Sequence, residues 1–276
     1  MHANARARTS TLAALLAGAA LLSGAGPASA GSTWDGLKAE VFGNRPILPG
    51  SGVVTLKAPT RPEDQRNVPV EVDARLADGR TIKSVTVIVD ENPSPVAAVF
   101  RFAQARDHVK LSAKFRFNSE TDTRAVVEAS DGQLYMLSQH VKFAGGQAAC
   151  SAPAAGDPAE IAASMGKMKL AEVADKAVSG QSAASRAVRL EVSHPNHSGM
   201  VLDQQTLLYI PLKILSHVAV KAGDEPVVDV TGSMTLAQNP TFEFDYRVNG
   251  ADKLVVEAHD SDGGSWTQTF PIGQGS

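Results

Sequence analysis

From residue 53 to residue 270 the apolar side chains recur at every second position, in short runs separated by glycine, proline and aspartate. Period two is the repeat of a strand with one buried face. It is incompatible with a helical stripe, which needs apolar residues three and four apart. In the first half the runs fall at 53–56, 68–72, 82–89, 99–102, 110–117, 124–128 and 134–143. Asp78-Gly79 and Asp131-Gly132 read as tight hairpin turns, and Asn92-Pro-Ser-Pro95 as a rigid one. The second half repeats the pattern at 168–173, 186–192, 209–220, 227–230, 242–246 and 254–258, and Asp262-Gly263-Gly264 turns the chain into 266–270. Pro211 marks an edge or bulge in the longest of these runs. Turn signals about every ten residues predict two β-sandwiches, one in each half. Before the first strand, Trp34, Leu37 and Val41 share one helical face and predict a short helix over 34–42.

Between the halves, over residues 145–164, the composition shifts to Ala, Gly, Ser and Pro. Within this linker Asp157-Pro158-Ala159-Glu160 has the order of a helix start: an acidic cap, proline at the first helical position, and a glutamate able to reach back. The chain therefore divides into a first domain over 31–144, an arm and linker over 145–164, and a second domain over 165–276.

The first thirty residues have the character of an export signal. Arg6 and Arg8 precede an apolar run over 11–22, and Pro27-Ala-Ser-Ala30 ends in the small-x-small pattern of a cleavage site. The apolar run is too short for a membrane span. The arginines are separated by Ala7, which argues against a twin-arginine signal, and no cysteine follows the run to take a lipid. The expectation is a periplasmic protein without a membrane anchor, its mature chain starting near Gly31. A net charge of −3 with no basic block argues against a nucleic-acid partner.

Cys150 is the single cysteine. It lies in Phe143-Ala-Gly-Gly-Gln-Ala-Ala-Cys-Ser-Ala-Pro153, where no bulky neighbour is at hand to bury it. An unpaired cysteine in an exported protein signals intermolecular pairing or a thiol kept free for use. The thiolate is the reactive form, and nothing nearby in sequence favours it: the nearest cation is Lys142, and the charges downstream are the anions Asp157 and Glu160. The sequence thus predicts a thiol acted on by other enzymes. Gly145 and Gly146 supply backbone freedom, and from Phe143 to Cys150 the chain reaches at most about 23 Å. The arm is a loop fixed at both ends, its apex able to enter a partner's cleft. The alternatives are an incidental cysteine in an alanine-rich linker and a Cys150-linked homodimer.

Other constellations are weaker. His194-Pro-Asn-His197 has metal-like spacing, with His217 or His259 as further candidates, but two histidines without fixed partners do not make a zinc site, and a turn is the plainer reading. No nucleophile elbow accompanies the serines and histidines. Asp260-Ser-Asp262-Gly-Gly264 lacks the downstream glutamate of a calcium loop and reads as a hairpin. The basic run Lys110 to Arg116 reads as a solvated strand face, open to an anionic substrate or an acidic partner. No catalytic residues, metal or cofactor are assigned.

The first half resembles the Y subunit of the bacterial sulfur-oxidation (Sox) carrier complex. The resemblance is carried by residues 34–42, Ala58-Pro59, Val68-Pro69-Val70, Val89-Asp-Glu-Asn-Pro-Ser-Pro95, Asp131-Gly-Gln-Leu-Tyr-Met136 and the Gly-Gly before the cysteine. The second half resembles the Z subunit through Met165-Gly-Lys-Met-Lys-Leu170, Ser193-His-Pro195, Gly199, Ile210-Pro211, Asn239-Pro240 and residues 255–260. Both halves in one chain are similar to the SoxYZ-like carriers associated with quinoprotein dehydrogenases. The resemblance implies two immunoglobulin-like β-sandwich domains packed together and no enzymatic activity. It also implies a swinging-arm cysteine, by position Cys150, that holds a sulfur intermediate while separate periplasmic redox enzymes of the sulfur-oxidation or quinoprotein dehydrogenase type process it. A docking or scaffolding module for such a dehydrogenase, without covalent cargo, is the alternative. Y subunits end in Gly-Gly-Cys-Gly-Gly at a free terminus; here three residues separate the glycines from the thiol and the chain continues. His197 stands where the Z segment carries an acidic residue.

Overall fold

The computed structural model describes residues 30–143, 145–173, 185–247 and 249–272; residues 1–29, where the sequence predicts an export signal, lie outside them. Helix α1 (Ala30–Phe42) precedes eight strands in the first half: β1 (Ile47–Pro49), β2 (Val54–Lys57), β3 (Val68–Arg75), β4 (Ile82–Val89), β5 (Val96–Phe102), β6 (His108–Phe115), β7 (Thr121–Ala129) and β8 (Leu134–Val141). After helix α2 (Pro158–Ser164) come β9 (Met168–Glu172), β10 (Ser185–Val192), β11 (Leu215–Ala222), β12 (Glu225–Gly232), β13 (Thr241–Arg247), β14 (Lys253–Asp260) and β15 (Ser265–Pro271). The fold is an all-β, immunoglobulin-like sandwich.

The alternation in the sequence becomes the alternation of the sheets. Strand β3 buries Val68, Val70, Val72 and Ala74 and turns Pro69 and Arg75 outward. Strand β4 is buried on both faces over its C-terminal part because α1 covers its outer side: Trp34 and Leu37 pack on Ile88, Val126 and Leu134. The Trp34 ring also lies 4.4 Å from the Arg124 guanidinium, which Asp90 pairs at 2.6 Å below it.

The halves are joined more closely than by a linker. One sheet runs β1-β8-β7-β4-β5-β12-β11-β14-β15 and the other β2-β3-β6-β13-β10-β9. Both cross the boundary between halves through antiparallel pairs, β5 with β12 (Phe100 opposite Val230) and β6 with β13 (Ala113 opposite Phe242). A continuous core follows, and Phe100 meets Phe242 edge-on at 6.1 Å, one ring from each sheet and each half.

Two local expectations are corrected. Asp78-Gly79 is a turn, with Gly79 at φ 84°, but not a hairpin: β3 pairs with β2 and β6, whereas β4 pairs with β5 and β7. The turn carries the chain from one sheet to the other, which hairpin chemistry alone does not distinguish. The run 209–220 is a strand only from Leu215. Pro211 donates no ladder hydrogen bond, and residues 196–214 form a loop with isolated bridges only.

Candidate functional site

The arm leaves β8 and passes through Gly145 and Gly146, at φ 94° and 95°, a backbone region that glycine enters freely and other residues rarely do. It then makes a single 3-10 turn over Ala149–Ser151 and runs on to α2. There Asp157 caps the helix, its carboxylate accepting from the Ala159 and Glu160 amides, with Pro158 at the first position, as the sequence predicts.

Cys150 is buried, with 1% of its surface exposed, and this corrects the expectation of an open thiol. The small residues around it cannot wrap the thiol themselves, but their slimness lets the turn lie flat on the seam between the halves. Each half contributes a hydrogen bond to the cysteine backbone. The Cys150 N–H donates to the Asn118 side-chain oxygen at 2.9 Å, and the Ser198 hydroxyl donates to the Cys150 carbonyl. Gln147 closes the turn by donating to the Ser151 carbonyl.

Arg116 stands beside this clamp. Sequence reading places it on a solvated strand face, but it lies just past the end of β6 and is 5% exposed, because residues 194–198 of the second half fold over it. Its guanidinium donates to the carbonyls of Pro195, Asn196 and Met234. Its own carbonyl accepts from Asn92, whose side-chain oxygen also holds the Asn118 amide at 2.9 Å. Burial raises the Cys150 pKa, and the nearby Arg116 charge pulls it partly back down. Within the clamp Cys150 is a protonated thiol, sheltered and not nucleophilic. Arg116, Asn118 and Ser198 carry no local sequence signature; their relation to Cys150 comes from the packing of the halves.

The histidines do not converge. His194 is buried, and burial lowers its pKa to about 4 against the pull of Asp260. Its Nδ1 accepts from the Asn196 amide at 3.1 Å, so the neutral ring carries its proton on Nε2, 3.6 Å from an Asp260 oxygen. His197 pairs with Lys213 through backbone and lines a cleft. His217 and His259 stack on each other across β11 and β14. Among the described residues no cluster of three or more potential ligands exists to hold a metal. Asp260 to Gly264 is the hairpin turn between β14 and β15, the Asp260 carboxylate accepting from the amides of Asp262 and Gly264.

Because the unfolded chain protonates a histidine near pH 6.5 and folded His194 resists until about 4, stability falls as pH drops through that window. Between pH 7 and 5 this one group accounts for about 2 kcal/mol. His194→Asn keeps an acceptor for the Asn196 amide, so urea titrations at the two pH values should differ less for the variant by that amount. An identical pH dependence in both proteins would show that His194 is not the group responsible.

A cleft of about 820 Å³ opens next to the clamp, between the linker and the loop that precedes β11, and Ser151, Ile161, Met165, His197, Met200 and Tyr209 line it. The same loop exposes Leu207, Leu208 and Leu212.

Two family models match the chain: sulfur oxidation protein SoxY over residues 38–148 and sulphur oxidation protein SoxZ over residues 175–271. Among solved structures, the sulfur carrier protein SoxY of Chlorobium limicola f thiosulfatophilum is 28% identical; the match covers 41% of this chain and 93% of that one, with a TM-score of 0.36. A putative superoxide reductase of Thermotoga maritima is 14% identical over 37% of this chain and 95% of its own (TM-score 0.29). The superoxide reductase (neelaredoxin) of Ignicoccus hospitalis is 12% identical over 33% and 80% (TM-score 0.27). No curated protein matches. With a SoxY half and a SoxZ half in sequence on one shared sandwich, the chain belongs to the SoxYZ family of sulfur-oxidation carriers, as a fusion of both subunits.

Proposed function

We propose that this fused carrier works in the periplasm and bears its sulfur intermediate covalently on Cys150, presenting it to separate redox enzymes that load and process it. The observation that carries this reading is the setting of Cys150. The chain's single cysteine sits at the tip of a loop with two positive-φ glycines at its base, and a hydrogen bond from each half holds its backbone. A cysteine serving only as core filler needs neither the glycines nor the clamp. In this reading Gly145 and Gly146 are the pivots, the clamp shelters the thiol between encounters, and a partner receives the arm once it opens.

Mass spectrometry of the intact protein, isolated from the periplasm of its own cells with and without reductant, tests this. The expected result is a reductant-sensitive added mass on Cys150 and a chain shortened by the leader. A bare thiol under every growth condition would remove the reading, and a doubled mass that reductant halves would replace it with the Cys150-linked homodimer. The exposed Leu207, Leu208 and Tyr209 favour a second reading, a docking module for a quinoprotein-type dehydrogenase that carries no covalent cargo.

A further inference from the structure

A strand at the end of a sheet carries backbone donors and acceptors that no neighbour meets, and proteins blunt such edges with brevity, charge or proline. Among the described residues four strands end the two sheets: β1, β15, β2 and β9. Three of them are blunted. Strand β1 is three residues long and closes on Pro49, and β2 is four long and ends at Lys57. Strand β9 is five long and carries Lys169 and Glu172. The exception is β15, seven largely exposed residues, Ser265-Trp-Thr-Gln-Thr-Phe-Pro271, without a charge.

The register with β14 fixes where its backbone groups point. The Ile272 amide donates to the Asp252 carbonyl and the Asp260 amide to that of Gly264, at either end of an unbroken antiparallel ladder. Alternation then turns the N–H and C=O of Trp266, Gln268 and Phe270 toward β14, and those of Ser265, Thr267 and Thr269 outward. The edge is also stiff. The Gln268 side chain accepts from the Met168 amide at 3.0 Å, and Trp266 and Phe270 pack against the core. The Trp266 ring occupies the space that a side chain on Gly166 would need.

This edge reads alike in both directions about Gln268: aromatic, Thr, Gln, Thr, aromatic. We infer that β15 is the contact between two copies of this chain, paired antiparallel about a two-fold axis at Gln268. Thr267 of each copy then exchanges both backbone bonds with Thr269 of the other, and each Ser265 amide donates to a Pro271 carbonyl. Gln268 faces Gln268, and Trp266 faces Phe270 twice, at the non-hydrogen-bonded positions where cross-strand side chains stand closest. No like charges oppose each other along the seam. An unrelated extended peptide would meet the same backbone groups, but a second copy matches the order of side chains by symmetry. Four partly buried aromatic rings and a ladder about 20 Å long cover on the order of 1,000 Å². That is just below the roughly 1,200–2,000 Å² of stable complexes. The dimer is therefore reversible, with a dissociation constant in the micromolar range.

Sedimentation velocity of the purified protein across that range tests this, with reductant present so that no Cys150-linked pair contributes. The wild-type protein should pass from monomer to dimer as concentration rises, and hydrogen exchange at the Thr267 and Thr269 amides should slow in step. Thr269→Pro deletes an amide that points away from β14, so the ladder within the chain is kept. The dimer loses two bonds and should weaken by on the order of tenfold or more. The paired change Thr267→Lys with Thr269→Lys leaves every backbone group in place and sets like charges directly opposite each other. It should weaken the dimer at least as much, and it carries the test if the proline variant does not fold. A wild-type protein that stays monomeric at every concentration overturns the inference. So does a dimer that the folded variants leave at wild-type strength, because the two copies then meet through another surface.

Discussion

Cys150→Ser should abolish covalent loading completely while leaving a folded protein. The chain has no second cysteine to take over, and a serine hydroxyl, ordinarily unionised, cannot form the disulfide-type bond that a thiolate makes. The substitution is nearly isosteric and lies in a turn fixed through its backbone, since Asn118 and Ser198 bond the Cys150 amide and carbonyl. Both bonds survive the change. The cost is that of placing a hydroxyl where a thiol was buried, about 1–2 kcal/mol, too small to unfold a sandwich with a core this extensive. Thermal unfolding, intact mass and turnover with partner enzymes, measured on one preparation, separate the cases. A folded variant with no added mass and no turnover supports the carrier. An added mass that persists would move the attachment point elsewhere. Full turnover without any added mass would favour the docking module.

How much of this was legible in the sequence depends on the range of the interactions involved. The strands were legible because each one's alternation is imposed by its own buried face, as in β3, and the cap of α2 because all its parts lie within four residues. The joining of both sheets across the halves was not. An edge strand reads the same whether its neighbour is solvent or β12, and the pairing of Ala98 to Phe102 with that strand uses backbone groups that every residue has. The burial of Cys150 and Arg116 failed for a related reason. An alanine-rich stretch with no bulk of its own reads as exposed, and a strand-end arginine reads as solvated, until another segment covers them. Here Pro195 to Ser198, some fifty residues away from Cys150 and eighty from Arg116 in sequence, covers both. Local pattern reports which face of a strand is buried; it does not report which distant loop lands on it.

The same clamp sets the reactivity of the thiol, and removing it should raise the labelling rate of Cys150 steeply. Alkylation of a sheltered cysteine by a small neutral reagent such as iodoacetamide proceeds through the open arm, so at low reagent its rate is proportional to the opening equilibrium. Each clamp bond contributes about 0.5–1.5 kcal/mol to the closed form. Ser198→Ala or Asn118→Ala alone should therefore speed labelling by roughly two- to tenfold, and the pair by about five- to hundredfold. The two bonds hold one residue from opposite sides, so the pair can depart from simple multiplication. Neither change should alter the thiol in the open arm, because both residues stay behind with the sandwich when the arm leaves. Labelling in urea should thus be the same for all four proteins. If the double variant labels at the wild-type rate while folded, the hydrogen bonds are incidental, and apolar packing around Ala149 and Cys150 alone keeps the arm closed. If it labels at the unfolded rate, the clamp is the whole of the closure, and a partner enzyme need only compete for Ser198 and Asn118 to draw the cysteine out.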